Sequence, residues 1–165
     1  MGGLPEGVRE LDHTADLGIE IVAPDAGALF DRAARALRAL AVDEGDAAPE
    51  GGGAAGAAHA VDGSFTAWPE PPVAGGAGLH TLELEASDAA VLLVRWLSEL
   101  LYRIDTLGLA YQSAELAVEG GRLHARIRET RLPEAGAHIK AVTYHGLECG
   151  PLPDGSWGAR VIFDV

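Results

Sequence analysis

Residues 88 to 105 constrain the fold more than any other stretch of this chain. Leu92, Leu93, Trp96, Leu97, Leu100, Leu101 and Ile104 recur at helical spacing and form a wide apolar stripe, with Arg95, Glu99 and Arg103 expected on the opposite side. A helix with so broad a stripe needs cover on several sides, so it is read as the central core helix. Ser87-Asp88 supplies its N-cap, and Trp96 is read as a packing residue.

Strand patterns surround it. Gly18 to Ala23 places Ile19 and Ile21 on one face, and Leu79 to Glu85 alternates Leu82 and Leu84 with Glu83 and Glu85. Ala110 to Val118, a Glu119-Gly120-Gly121 turn and Arg122 to Glu129 form a hairpin pattern. Two more apolar runs follow, Ala141 to Glu148 and Arg160 to Val165. A second helix is predicted from Ala26 to Val42, capped by Asp25, with Leu29, Ala33, Leu37 and Leu40 in register. The order of elements predicts an α+β class: two helices packed on one mixed β-sheet.

At 165 residues with 48% apolar content, the chain suits a single folded domain, 1–165. Residues 45 to 78 break the pattern: 23 of 34 positions are Gly, Ala or Pro, and every charged residue there is acidic. They are read as a flexible insertion that adds little to the core, with a short extended piece around Ser64 to Trp68.

The 25 acidic against 12 basic residues give a net charge of −13, which repels phosphate backbones and argues against direct, tight nucleic-acid binding. The single cysteine, Cys149, excludes an internal disulfide and a cysteine zinc cage, and is read as a small buried residue. No apolar run reaches the roughly 20 residues of a membrane span, and the first residues lack the regions of a secretion signal, so a cytoplasmic protein is expected. Gly51 to Gly56 matches GxGxxG without a strand before it or a helix after it, and the only lysine, Lys140, follows no glycine loop. HExxH, GxSxG and EF-hand patterns are absent, so no self-contained enzyme is visible.

Acidic residues remain. Asp164 interrupts the apolar run Val161 to Val165, where burying a carboxylate costs several kcal/mol unless a positive group meets it. Asp12-His13-Thr14-Ala15-Asp16 precedes the other terminal strand pattern. Asp16, Asp164 and the carboxylate of Val165 offer hard oxygen ligands, suited to Ca²⁺ or Mg²⁺ over Zn²⁺. The competing reading is that Asp16 caps a turn and Asp164 pairs with an arginine such as Arg160.

Four segments carry a resemblance: Asp12 to Ile19, Leu92 to Tyr102, Ile139 to His145 and Val161 to Val165. In this order they resemble the archease family, and together they span nearly the whole chain. Ser98 stands where asparagine is common after the Trp-Leu pair, and the insertion is longer than expected for the family. The resemblance implies an archease-like two-layer domain and an acidic cofactor protein, not an enzyme in itself. It would activate an RtcB-type GTP-dependent RNA ligase in tRNA splicing or RNA repair, promoting ligase guanylylation and multiple turnover. It also implies a divalent metal ion, Ca²⁺ first with Mg²⁺ or Mn²⁺ as alternatives, on Asp16, Asp164 and Val165. His13, Lys140, Tyr144 and His145 are placed near the working face. The alternative role is that of a chaperone or modulator of a tRNA-modifying enzyme.

Overall fold

Two aspartates set the helices. Asp25 and Asp88, both extended, accept hydrogen bonds from Ala28 N at 2.8 Å and Val91 N at 2.9 Å. Each satisfies a backbone donor that the first helical turn would otherwise leave unpaired, opening α1 (Ala26–Ala41) and α2 (Ala89–Tyr102). The structure, a computed structural model, describes residues 3–11, 16–42, 78–132 and 137–165. The 45 to 78 segment expected as a flexible insertion lies outside the described residues except for Gly78. After Tyr102 the helix widens into one π-helical turn, Arg103–Leu107, which ends at Gly108 in the left-handed conformation, φ 64°.

The described strands are β1 (Val8–Leu11), β2 (Leu17–Ala23), β3 (Leu79–Glu85), β4 (Leu109–Glu119), β5 (Arg122–Arg131), β6 (Ala141–Pro151) and β7 (Trp157–Asp164). The α+β class and the two helices are as expected. The strands divide, however, between two wholly antiparallel sheets where one mixed sheet was predicted: β1-β2-β7-β6 and β3-β5-β4. Alternation reports which face of a strand is apolar and is silent on which strand lies beside it. β1 escaped prediction because four residues, two of them charged, carry almost no periodic signal.

Each helix touches strands of both sheets, so the core lies around α1 and α2 and between the sheets. Ile19, Ile21, Val161 and Phe163 cover it from one sheet, and Leu123, Ala125 and Ile127 from the other. Each large aliphatic or aromatic side chain so buried contributes roughly 1.5–3 kcal/mol. Trp96 is fully buried, donates from Nε1 to Phe30 O at 3.1 Å, and stands edge-on to Tyr111 with ring centroids 6.0 Å apart.

Arg103 corrects the reading of the helix's solvent side. It is only 7% exposed and makes a two-pronged ion pair with Glu129 of β5, which is 2% exposed, at 2.5 and 2.8 Å. Arg103 follows Trp96 by seven residues and Leu100 by three, so the helical period places it on the apolar face after all. Its charge is tolerated there because Glu129 meets it, with Glu99 at 3.3 Å as a second partner.

Candidate functional site

The outer strands of the sequence become neighbours in space. β2 and β7 pair antiparallel from Leu17↔Phe163 to Ala23↔Trp157. Continuing that register by one residue sets Asp16 opposite Asp164, at the end of the sheet. Strand alternation turns Phe163 into the core and Asp164 away from it. Asp16 and Asp164 are both exposed, and Asp164, one step past the buried run, keeps its hydration and so needs no buried cation to offset a desolvation cost. Among the described residues, neither carboxylate has a hydrogen bond or ion pair with a protein group.

Lys140 lies at the same rim, exposed, just before β6. Its backbone N–H donates to Asp164 O at 2.8 Å and its Nζ to Val165 O at 3.1 Å. Lys140 thus clasps the last residues of the chain, and among the described residues Val165 is the one predicted ligand already engaged by a cation. His13 lies outside the described residues.

Tyr144 and His145 reach the surface through an irregularity that the sequence reading passed over. β6 pairs with β7 at Thr143↔Ile162 and again at Glu148↔Arg160, so residues 144–147 stand against Val161 alone. This wide bulge includes Gly146 at φ 59°, and it leaves Tyr144 61% exposed and His145 exposed on the sheet's edge strand. A glycine inside a strand pattern was the signal that could have located it. Cys149, further along β6, is half-buried, and burial pushes its thiol up to about 11, which disfavours the thiolate at neutral pH.

The proposed partner of Asp164, Arg160, is committed elsewhere. It donates to Glu20 at 2.7 Å, and Glu20 also pairs with Arg9 across the sheet. Hydrogen bonds from Arg160 and then Arg9 hold the Glu20 carboxyl below its ordinary 4.5. Salt partners thus exist on this sheet face, but none of them serves Asp16 or Asp164. Among the described residues no group of three His, Cys, Asp or Glu side chains converges. The donor set at the rim is two carboxylates and a main-chain oxygen. Such oxygens fit a hard divalent cation whose remaining ligands are water or a partner's groups.

The model of the Archease protein family (MTH1598/TM1083) matches residues 55–165. The chain belongs to the archease family. Protein archease of Pyrococcus abyssi is 34% identical over 95 residues, 53% of this chain and 67% of that one. The chain spans about two thirds of the length of the Pyrococcus and Thermococcus archeases it matches. The solution structure of Methanobacterium thermoautotrophicum protein 1598 covers 98% of this chain and 100% of its own at 25% identity, with a TM-score of 0.59. A Thermotoga maritima crystal structure, described as an archease, "possible chaperone", shares the fold at 21% identity with a TM-score of 0.50, covering 95% of this chain and 96% of its own. The two-helix, two-sheet architecture is that of these archeases. Among the described residues no helix is long and apolar enough to cross a membrane.

Proposed function

We propose that this protein is a metal-binding cofactor protein that activates an RtcB-type GTP-dependent RNA ligase, promoting guanylylation and multiple turnover. The observation that carries the reading is the convergence of Asp16 and Asp164, 148 residues apart in sequence, on one exposed rim with no cation on either among the described residues. Membership of the archease family supports it. Asp16 and Asp164 would hold Ca²⁺, with Mg²⁺ or Mn²⁺ as alternatives. Val165 O stands beside them under the Lys140 ammonium. When bound, the ion would supply charge neutralisation near phosphate oxygens, the main way proteins assist phosphoryl transfer.

The chain's own residues then do the positioning. Lys140 fixes the β7 terminus by two hydrogen bonds, holding Asp164 at a set height on the rim. Tyr144 and His145, raised on the bulge of the neighbouring strand, offer an aromatic and an imidazole contact to the ligase. The −13 net charge steers the protein toward the basic surface of an RNA-handling enzyme and disfavours the RNA itself.

The decisive experiment adds the protein at substoichiometric amounts to its cognate ligase with GTP and divalent metal, and follows guanylylation and ligation. Stimulation beyond one turnover per ligase is expected; no stimulation would reject the reading. A second reading, a chaperone or modulator of a tRNA-modifying enzyme, draws on the words used for the Thermotoga protein and on the exposed Tyr144. It predicts suppressed aggregation of unrelated clients, independent of GTP and metal.

A further inference from the structure

The outward face of the four-stranded sheet carries a pattern that neither the carboxylate rim nor the core explains. Arg9 of β1 stands opposite Glu20 of β2, Glu20 opposite Arg160 of β7, and Arg160 opposite Glu148 of β6. One row therefore crosses all four strands with alternating charge, plus, minus, plus, minus. Its sum is zero on a chain that carries −13. On one side of the row, Val22 pairs with Gly158 and is 48% exposed. Leu152, 38% exposed, lies over Gly158, its methyl carbons 3.1 Å from where a Cβ would stand. A neutral ionic row bordered by exposed aliphatic side chains is an unusual face for so acidic a molecule.

Reversal of this row is its own complement. A twofold axis parallel to the strands, lying between two such faces, keeps each row against itself and reverses the strand order. Arg9 then meets Glu148 of the second copy, and Glu20 meets Arg160 of the second copy, so every charge faces its opposite. The same operation lays the Val22 and Leu152 row on its own copy. We infer that the protein forms a twofold dimer through the outer face of β1-β2-β7-β6, with a second copy of this chain as the occupant. The contact is isologous and needs no second sequence to supply the matching pattern. Sheets stacked this way keep their strands within about 30° of each other, which preserves the opposition along the row.

The charge of −13 on each copy opposes association at low ionic strength. At about 0.15 M salt the Debye length is about 8 Å, so contacts across the row survive while the overall repulsion is screened. Sedimentation equilibrium under those conditions, up to about 1 mM chain, tests the inference on the intact protein. A concentration-dependent dimer is expected. Glu148→Arg alone and Arg9→Glu alone each set like charges against each other twice per dimer and weaken it by about a hundredfold. An equimolar mixture of the two variants restores it, because in a dimer with one chain of each kind both crossings again join opposite charges. Val22→Lys, one row away and independent of the ladder's own pairs, weakens self-association by about tenfold through the lost apolar contact. A wild-type chain that stays monomeric at the highest concentration overturns the inference. So do single variants that self-associate like the wild type, or a mixture no tighter than its components.

Discussion

Glu129 and Asp164 are carboxylates on strands of the same molecule, and the fold treats them oppositely. Glu129 points inward from β5, is 2% exposed, and is gripped by both prongs of Arg103. Asp164 points outward at the end of β7, exposed, with no cation on its side chain among the described residues. Between the two stands Asp31 on α1, partly buried, which accepts from Tyr111 Oη at 2.5 Å and Arg35 Nε at 2.8 Å. In these three, cationic pairing falls as exposure rises, because a buried carboxylate must replace its lost hydration with protein donors. Asp164 is left with oxygens that no described protein group occupies.

That contrast is broken most severely at the buried end. Glu129→Gln should cost about 3 kcal/mol or more, since Arg103 keeps its charge in a site that no longer balances it. In a chain of this size that lowers the thermal midpoint by about 6–12 °C. Metal binding at the rim should not change, and calorimetric titration beside the melting curve checks both. Replacing Arg103 and Glu129 together by Met and Leu should restore most of the loss, because no lone charge then remains.

The intermediate carboxylate should give an intermediate effect. Tyr111→Phe removes a donor to Asp31 without changing shape, and should cost about 1.5 kcal/mol by chemical denaturation. A cost as large as that of Glu129→Gln would mean that partial exposure does not relieve the demand for pairing.

At the exposed end the expectation for stability is near zero and that for binding is not. Asp16→Asn and Asp164→Asn should each leave stability within about 0.5 kcal/mol of wild type. Each should also weaken Ca²⁺ binding by about tenfold or more, since charge and ligand count both fall. Loss of ligase activation should accompany the loss of the ion. Unchanged metal affinity in Asp164→Asn would remove the rim from consideration as a metal site, and a large loss of stability would show these residues to be structural.

The smallest effect concerns the ladder. Arg160 and Arg9 hold the Glu20 carboxyl below 4.5, so this interaction stabilises the fold above that pH and is lost as pH falls through the lowered value. The stability difference between wild type and Glu20→Gln should therefore be small at neutral pH, begin to shrink as pH falls toward 4.5, and vanish once pH is below the lowered value. A difference that grows on acidification would have the wrong sign for this account.

What the sequence determined by itself is local. Asp25 and Asp88 mark the helix starts, because a cap satisfies donors within three residues of itself. Gly120 and Gly121 mark the β4–β5 hairpin, with φ 57° and 77° that suit glycine. Asp16 and Asp164 were legible as carboxylates beside apolar strands, and the archease resemblance was legible in four short segments. Arg103, expected on the solvent side, is the exception: its spacing to Trp96 and Leu100 already placed it on the apolar face, where the structure buries it. Only the tertiary structure decided that β2 lies against β7, that the strands form two sheets, and that Asp164 stands outside the core. The ladder of Arg9, Glu20, Arg160 and Glu148, whose first and last members in sequence are 151 residues apart, also became visible only there. The physical reason is that helix caps and turns are closed by neighbouring residues, whereas strand partners are chosen by the packing of whole faces, which no single strand's periodicity encodes.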